Sequence, residues 1–340
     1  MTEARQGRSR ATARDVADLV PCSVATVSLV VNGKSAGRVK PAIEQQVWQA
    51  VRQLDYQVNR SASALARKTP STVALVFPDP TDPFFSCVLD GVMSALGDEH
   101  TLNLVAPRKG DDYGPLTIRR ALACDLAGLI VASPGPAILE DLAASCPVIV
   151  LEADGQYSDV TTINPDIESA ARELAEHLVG LGHRRLAFAG SQRSTKTLHR
   201  REALRGALNQ RGADLVLPDI LIDRLSIDEA RKAFTAQWGA LDRSAVTALV
   251  CSDDVVAYGA LASADVTGVD VPGRLSVAGM NNLPYSEVVS PRLTSVDLCA
   301  RELGIRAVVA LRADADRGSR PVSETVPSKL IVRRSTAAPA

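Results

Sequence analysis

Residues 15–33 read Asp-Val-Ala-Asp-Leu-Val-Pro-Cys-Ser-Val-Ala-Thr-Val-Ser-Leu-Val-Val-Asn-Gly. Apolar residues at 16, 17, 19 and 20 supply one face of a short helix, and Pro21 stops it because proline lacks an amide hydrogen and disfavours helix at the residue before it. Ser23 then offers a hydroxyl to the free amides of a second helix, Val24 to about Val31. Val24, Val27, Val30 and Val31 give that helix an apolar stripe, while Ala25, Thr26 and Ser28 lie off it. Asn32-Gly33 tolerates the left-handed backbone of a helix end. A third helix starts at Pro41, with Ile43, Val47, Ala50, Val51 and Leu54 as its stripe. Three short helices with a tight turn between the first two describe a helix-turn-helix unit, whose second helix enters the DNA major groove.

Charge supports this reading. Residues 1–68 hold 11 Lys and Arg against 5 Asp and Glu, and the remainder holds 27 against 34. A basic head on an acidic body fits a head that meets a polyanion. Gly33-Lys34-Ser35 is not a phosphate loop, since Ser28 stands where the earlier glycine is required and no strand precedes it.

Beyond Pro70, apolar runs at Thr72–Phe77, Leu102–Ala106, Gly128–Ala132, Val148–Leu151, Leu186–Ala189, Ala248–Cys251 and Ser276–Gly279 read as buried strands. Amphipathic stretches such as Phe84–Gly97, Asp166–Leu181, Leu198–Arg211, Val255–Ala264 and Leu298–Leu311 fall between them. This alternation predicts parallel sheets covered by helices, in two lobes. No apolar run is long enough for a membrane helix, and the polar, basic N-terminus has no signal-peptide core, so a cytoplasmic location is expected. The six scattered cysteines read as free thiols. An enzyme is disfavoured: there is no G-x-S-x-G, no His pair at metal spacing, and no histidine near Asp253-Asp254. A secreted binding protein would need a signal peptide and no DNA-binding head. No cofactor or metal is expected.

The runs Asp15-Val16-Ala17, Ser23-Val24-Ala25-Thr26-Val27-Ser28, Asn32-Gly33, Arg38-Val39 and Leu54-Asp55-Tyr56 resemble the head of the lactose-repressor (LacI) family. Asn59 to Arg67 resembles the family's hinge helix. In the body, Asp82-Pro83-Phe84-Phe85, Ala127 to Ile130, Glu176 to Arg185, Tyr258 to Leu261 and Leu293 to Val296 are similar to its sensor landmarks. The resemblance implies a helix-turn-helix head (1–58), a hinge (59–70) and a sensor of two Rossmann-like lobes (71–340), with the chain crossing between lobes near 165, 291 and 322. It implies a transcription regulator, with repression as the usual direction. Its partners would be a pseudo-palindromic operator, a sugar or sugar-like effector and a second copy of the chain. Dimer against tetramer, and inducer against corepressor, stay open.

The residue roles so implied are these. Ser23, Val24, Ala25, Thr26, Ser28, Leu29 and Asn32 would meet DNA in the head. Asn59, Ala62 and Leu65 would do so in the hinge, Leu65 as a minor-groove wedge beside Ala62. Leu29 stands where the family often has arginine, so either it meets a thymine methyl or readout shifts to Val24 and Ala25. Pro21 and Cys22 also depart from the usual glycine and valine. Effector contacts would come from Phe84, Phe85, Glu152, Arg200, Leu225, Asp253 and Asn281. At 253 and 281 an amide and a carboxylate have exchanged places, and Leu225 replaces a frequent aromatic. Blander roles compete: core for Phe84 and Phe85, a helix cap for Asp253, a solvated face for Arg200. His177 and His183 are expected to pack or cap helix ends.

Overall fold

The structure, a computed structural model, describes residues 11–31, 33–56, 71–107, 113–134, 138, 146–153, 157, 159–192, 194–216, 219–243, 245–317 and 320–340. It separates into two compact units, Met1–Pro70 and Ser71–Ala340.

The first unit holds α1 (Ala13–Leu19), α2 (Val24–Val31) and α3 (Pro41–Gln53). A capping box fixes the start of α1, with Asp15 N bonded to Thr12 Oγ1 and Thr12 N bonded to the Asp15 carboxylate. Ser23 Oγ accepts from Thr26 N at 3.1 Å and so caps α2. Val16, Ala17, Val20, Val27, Val30, Val47 and Ala50 form one small core, with Ile43, Val51 and Leu54 packed against it. Val24 departs from the expected stripe. It is 46% exposed, because a residue in the first turn of α2 projects beyond the core that Val27 and Val30 fill.

The second unit has two lobes. In the first, β1 (Thr72–Val76), β2 (Thr101–Val105), β3 (Leu126–Ala132), β4 (Val148–Leu151), β5 (Thr161–Pro165) and β12 (Ser323–Val326) form a parallel sheet in the order β12-β5-β4-β3-β1-β2. Helices α4 (Pro83–Leu96), α5 (Pro115–Leu122) and α10 (Ala300–Arg317) pack with it. The second lobe takes β6 (Arg185–Ser191), β7 (Asp214–Leu215), β8 (Ile220–Ile222), β9 (Ala248–Cys251), β10 (Ser276–Met280), β11 (Thr294–Asp297) and β13 (Lys329–Ile331). Its path is β13-β11-β10-β9-β6-β7, with β8 also on β6 and only β13 antiparallel. Around it lie α6 (Ile167–Gly180), α7 (Thr195–Asn209), α8 (Ile227–Arg243) and α9 (Asp254–Thr267). No helix among the described residues is long and apolar enough to cross a membrane.

The chain passes between the lobes three times: between β5 and α6, between β11 and α10, and between β12 and β13. The first passage lies at 165–167. The second follows Asp297 rather than 291, because Thr294–Asp297 still pairs with β10 in the second sheet. The third follows Val326 rather than 322, because Ser323–Val326 is an edge strand on β5. Both strands are mostly polar (TSVD and SETV) and so lack the apolar run that marks a buried strand.

The C-terminal tail locks onto the second lobe. Ser335 Oγ accepts from Thr294 N at 2.8 Å, and Val277 N donates to Ser335 O at 2.7 Å. His183 is buried beside it, within hydrogen-bond reach of Thr247, Ser276 and the Ala337 carbonyl, so its role is structural.

Helix α4 is held by an unusually close approach to α10. A Cβ on Gly91 would lie 1.9 Å from the Arg301 carbonyl oxygen, and one on Gly304 would lie 2.2 Å from the Val88 carbonyl oxygen. Both neighbours are backbone, so neither can swing aside. Gly91→Ala should therefore cost on the order of 1–3 kcal/mol as the helices are forced apart. Gly180→Ala, in α6 with open space around it, should be neutral or slightly stabilising. Urea unfolding of the two variants checks this, and equal midpoints would refute the close-packing argument.

Candidate functional site

In open α/β sheets, ligands collect at the carboxyl ends of the strands, where loops leave for the covering helices. Both sheets present those ends to one cavity of about 500 Å3. The first lobe contributes Pro78, Asp79 and Asp82 after β1, Phe84 and Phe85 at the start of α4, Tyr113, and Ser133 after β3. The second lobe contributes Ser191, the segment Ser194–Thr197, Arg200, Asp223–Leu225, Ser252, Asp253 and Asn281.

Six of the seven expected effector residues line the cavity: Phe84, Phe85, Arg200, Leu225, Asp253 and Asn281. Glu152, the seventh, is buried at the end of β4, bonded to lining residues. Its carboxylate takes Ser133 Oγ at 3.0 Å and Arg200 Nη2 at 3.4 Å, and it pairs closely with Lys196 Nζ. Burial pushes this carboxyl up, but Lys196 and Arg200 outweigh burial and hold it below its ordinary value. Since Glu152 belongs to the first lobe and both cations to α7, the triad bridges the lobes.

Arg200 is buried rather than solvated. Its Nη1 donates to the Ser252 carbonyl at 2.6 Å, and its Nε has no partner. The arginine thus serves the protein first and keeps its Nε–H spare. The Lys196 ammonium lies 5.4 Å and 4.9 Å from the ring centres of Phe84 and Phe85. These two rings meet edge to face and are core residues as well as wall.

Asp253 does cap α9, accepting from Val255 N at 2.8 Å through Oδ1, but its other oxygen takes Asn281 Nδ2 at 2.6 Å. The exchanged amide and carboxylate are therefore bonded to each other. Asn281 Oδ1 is buried without a partner. Asp82 caps α4 through Phe84 N at 2.9 Å. Burial, then the charge of Asp253, pushes the Asp82 carboxyl up to about 7 against the pull of Lys196. Burial likewise pushes Asp253 up to about 6 against Arg200.

Backbone strain gathers at the same place. Ser133, Glu152 and Asn281 follow β3, β4 and β10 with φ of 50°, 50° and 112°. Non-glycine residues there cost energy and persist where surroundings over-determine them, commonly at functional sites.

Sequence reading missed Lys196 and Asp82. Lys196 stands four residues before Arg200, one turn away on the same helix face, and that spacing is the signal that could have found it. Asp82 appeared only within a landmark run. Its proximity to Asp253 is a lobe-to-lobe relation that no local pattern encodes.

In the head, Ser23, Val24, Ala25 and Ser28 are exposed and Thr26 and Leu29 half-buried, all on or beside α2. Ser23 Oγ and Thr26 Oγ1 are 2.9 Å apart, so the cap and a neighbouring hydroxyl share one exposed edge. Asn32, Asn59, Ala62 and Leu65 lie outside the described residues.

The raised carboxyls fix a pH dependence. Asp82 binds its proton more tightly in the folded chain than at its ordinary value of about 4. Its contribution to stability is therefore complete below about pH 4 and is lost as pH rises through about 7. Asp82→Asn keeps a capping side chain and removes this loss. It should raise the midpoint of thermal unfolding more at pH 8 than at pH 5, by differential scanning calorimetry. An increase independent of pH would contradict the assigned shift.

Comparison with known proteins agrees with both halves. Residues 12–59 match the family described as bacterial regulatory proteins, lacI family, and residues 175–336 match a periplasmic binding protein-like domain. The chain is 28% identical over 338 residues to the HTH-type transcriptional regulator DegA of Bacillus subtilis, covering 96% of this chain and 98% of that one. It is 30% identical to catabolite control protein A of Staphylococcus epidermidis, over 83% of this chain and 85% of the relative. Among solved structures, the lac repressor dimer bound to operator and the anti-inducer ONPF superposes with a TM-score of 0.80 at 24% identity, over 97% of this chain and all of that one. The complex of the transcriptional regulator CelR with cellobiose gives 0.66 at 25% identity, over 96% of this chain and all of that one. These relatives are regulators, not enzymes. The chain belongs to the lacI family of bacterial regulatory proteins: it is a DNA-binding transcription regulator whose larger, periplasmic-binding-protein-like unit binds an effector.

Proposed function

We propose that this regulator is a homodimeric repressor of a pseudo-palindromic operator, and that a sugar or sugar-like metabolite in the cleft between the lobes controls it. The observation that carries the proposal is a polar cleft whose walls belong to both lobes. A ligand touching both sides alters their relative free energy in open and closed arrangements, which is what a population shift requires. Arg200 is the residue through which the ligand is read, through its spare Nε. The exposed small residues of α2 read the groove, and the hinge residues Asn59, Ala62 and Leu65 add a minor-groove contact. Dimerisation rests on the first lobe, where Met93, Leu104 and Leu116 are large apolar side chains left exposed. The solved lac repressor is a dimer bound to its operator.

Operator fragments selected from a genomic library with the full-length protein should share a pseudo-palindrome. Affinity for them should fall by roughly 10³-fold or more between ~50 and ~200 mM salt, as several phosphates are neutralised. A flat salt response would count against groove docking. Leu29→Arg should shift the selected half-site toward guanine at one position, since arginine reads guanine bidentately and leucine cannot. Unchanged selection would remove Leu29 from the reading face. Light scattering should give twice the mass of one chain, and a monomer at micromolar concentration would refute the dimer. Arg200→Ala should weaken effector binding roughly 10- to 200-fold and leave effector-free operator affinity almost unchanged. Wild-type effector affinity in that variant would overturn the cleft assignment.

A further inference from the structure

The cations of the cleft are held in ion pairs, and two of its carboxylates, Asp82 and Asp253, are not. Lys196 and Arg200 are both held by Glu152, and Arg224 is paired with Glu229 at 3.2 Å. Asp82 and Asp253 stand on opposite lobes and line the same cavity. Neither makes an ion pair among the described residues. Each is tied to a helix start through Oδ1, and the second oxygen of Asp82 has no hydrogen bond among the described residues. The charge of Asp253 raises the Asp82 carboxyl by more than the neighbouring Lys196 lowers it. A separate observation concerns Asn281. Its amide nitrogen is spent on Asp253, and its Oδ1, buried in the same wall, lacks a donor. Asn281 Oδ1 and the second oxygen of Asp82 are thus acceptors without a hydrogen bond among the described residues, and Arg200 Nε is a donor without one.

A ligand completes such a site if it brings positive charge and hydrogen-bond donors. The wall itself accepts an ammonium group, since that of Lys196 already rests over Phe84 and Phe85. The cavity, about 500 Å3, is of the size that holds a small polar ligand. We propose that the effector is a hydroxylated amine, an amino sugar or amino polyol, whose ammonium group is clasped between Asp82 and Asp253 while a hydroxyl donates to Asn281 and another accepts from Arg200. This rests on the cleft being the effector site. The ligand's ammonium relieves the repulsion between the two carboxylates and draws the lobes together.

The test uses matched sets at pH 7.5 with the full-length protein and titration calorimetry. D-glucosamine, D-galactosamine, D-mannosamine and glucamine are each compared with the neutral hydroxyl parent and, for the sugars, the N-acetyl derivative. At least one amine should bind ten-fold or more tightly than its neutral partners. Asp82→Asn and Asp253→Asn should each weaken it roughly 10- to 100-fold. Asparagine caps helices as aspartate does, so both variants should fold, and circular dichroism melting confirms it. A neutral member binding as tightly as its amine, or no amine binding at millimolar concentration, overturns the proposal. Neutral binding that Arg200→Ala still abolishes would leave the cleft as the effector site. Amine binding insensitive to Arg200→Ala and to both asparagine variants would instead remove the ligand from the cleft.

Discussion

The buried carboxylate of Glu152 is the constraint on which the sensor's arrangement turns. A carboxylate removed from water is costly, and leaving it unpaired costs several kcal/mol. Glu152 sits at the end of a strand of the first lobe, and both of its cations come from one face of α7 in the second. Satisfying one charge therefore ties two lobes together. The left-handed backbone of Ser133 and Glu152 lies on the first-lobe side of this contact, and Asn281 carries the same strain on the second. Strain at three strand ends is tolerable because β4 and β10 beneath them are wholly buried and β3 nearly so.

That economy of charge shapes the remainder of the cleft. Once Lys196 and Arg200 answer Glu152, the other acids must rely on helix amides and on Asn281. Asp254, one residue further in, shows the fully satisfied alternative. Its carboxylate accepts from Leu283 N, Ser286 Oγ and Ser295 Oγ and belongs to the framework. Asp253 and Asp82 have fewer donors and face the cavity. Neighbouring aspartates thus divide into one that builds the lobe and one that waits for a ligand.

Much of this was legible in the sequence. The helix-turn-helix followed from Pro21, Ser23 and the valine stripe because its determinants are local: a stop, a cap and a period. The buried strands showed as apolar runs because both faces of each sheet are covered. Strands β11 and β12 were not read, since SETV and TSVD carry polar residues at edge or framework positions, and the lobe crossings were placed early as a result. Val24 was placed on the apolar stripe as well as among the DNA contacts, because periodicity ignores where a helix begins. At the site, position-by-position resemblance brought together residues that line one cavity. It did not say that Asp253 and Asn281 bond each other, or that Arg200 bonds Glu152 and Ser252. Those are tertiary pairings across a long stretch of chain, and a linear pattern holds no record of them.

A double-mutant cycle tests the lobe-bridging clasp most directly. The unfolding free energies of the wild type, Glu152→Gln, Lys196→Met and the double variant are measured in urea at neutral pH, with the full-length protein. Independent, distant sites add to within about 0.5 kcal/mol. Each single change strands a buried partner, so the clasp requires the double variant to be more stable than the sum of the single losses, with a coupling above ~1 kcal/mol. Additive losses would show that Glu152 and Lys196 act independently, and the account of the cleft as a charge shared between two lobes would fall.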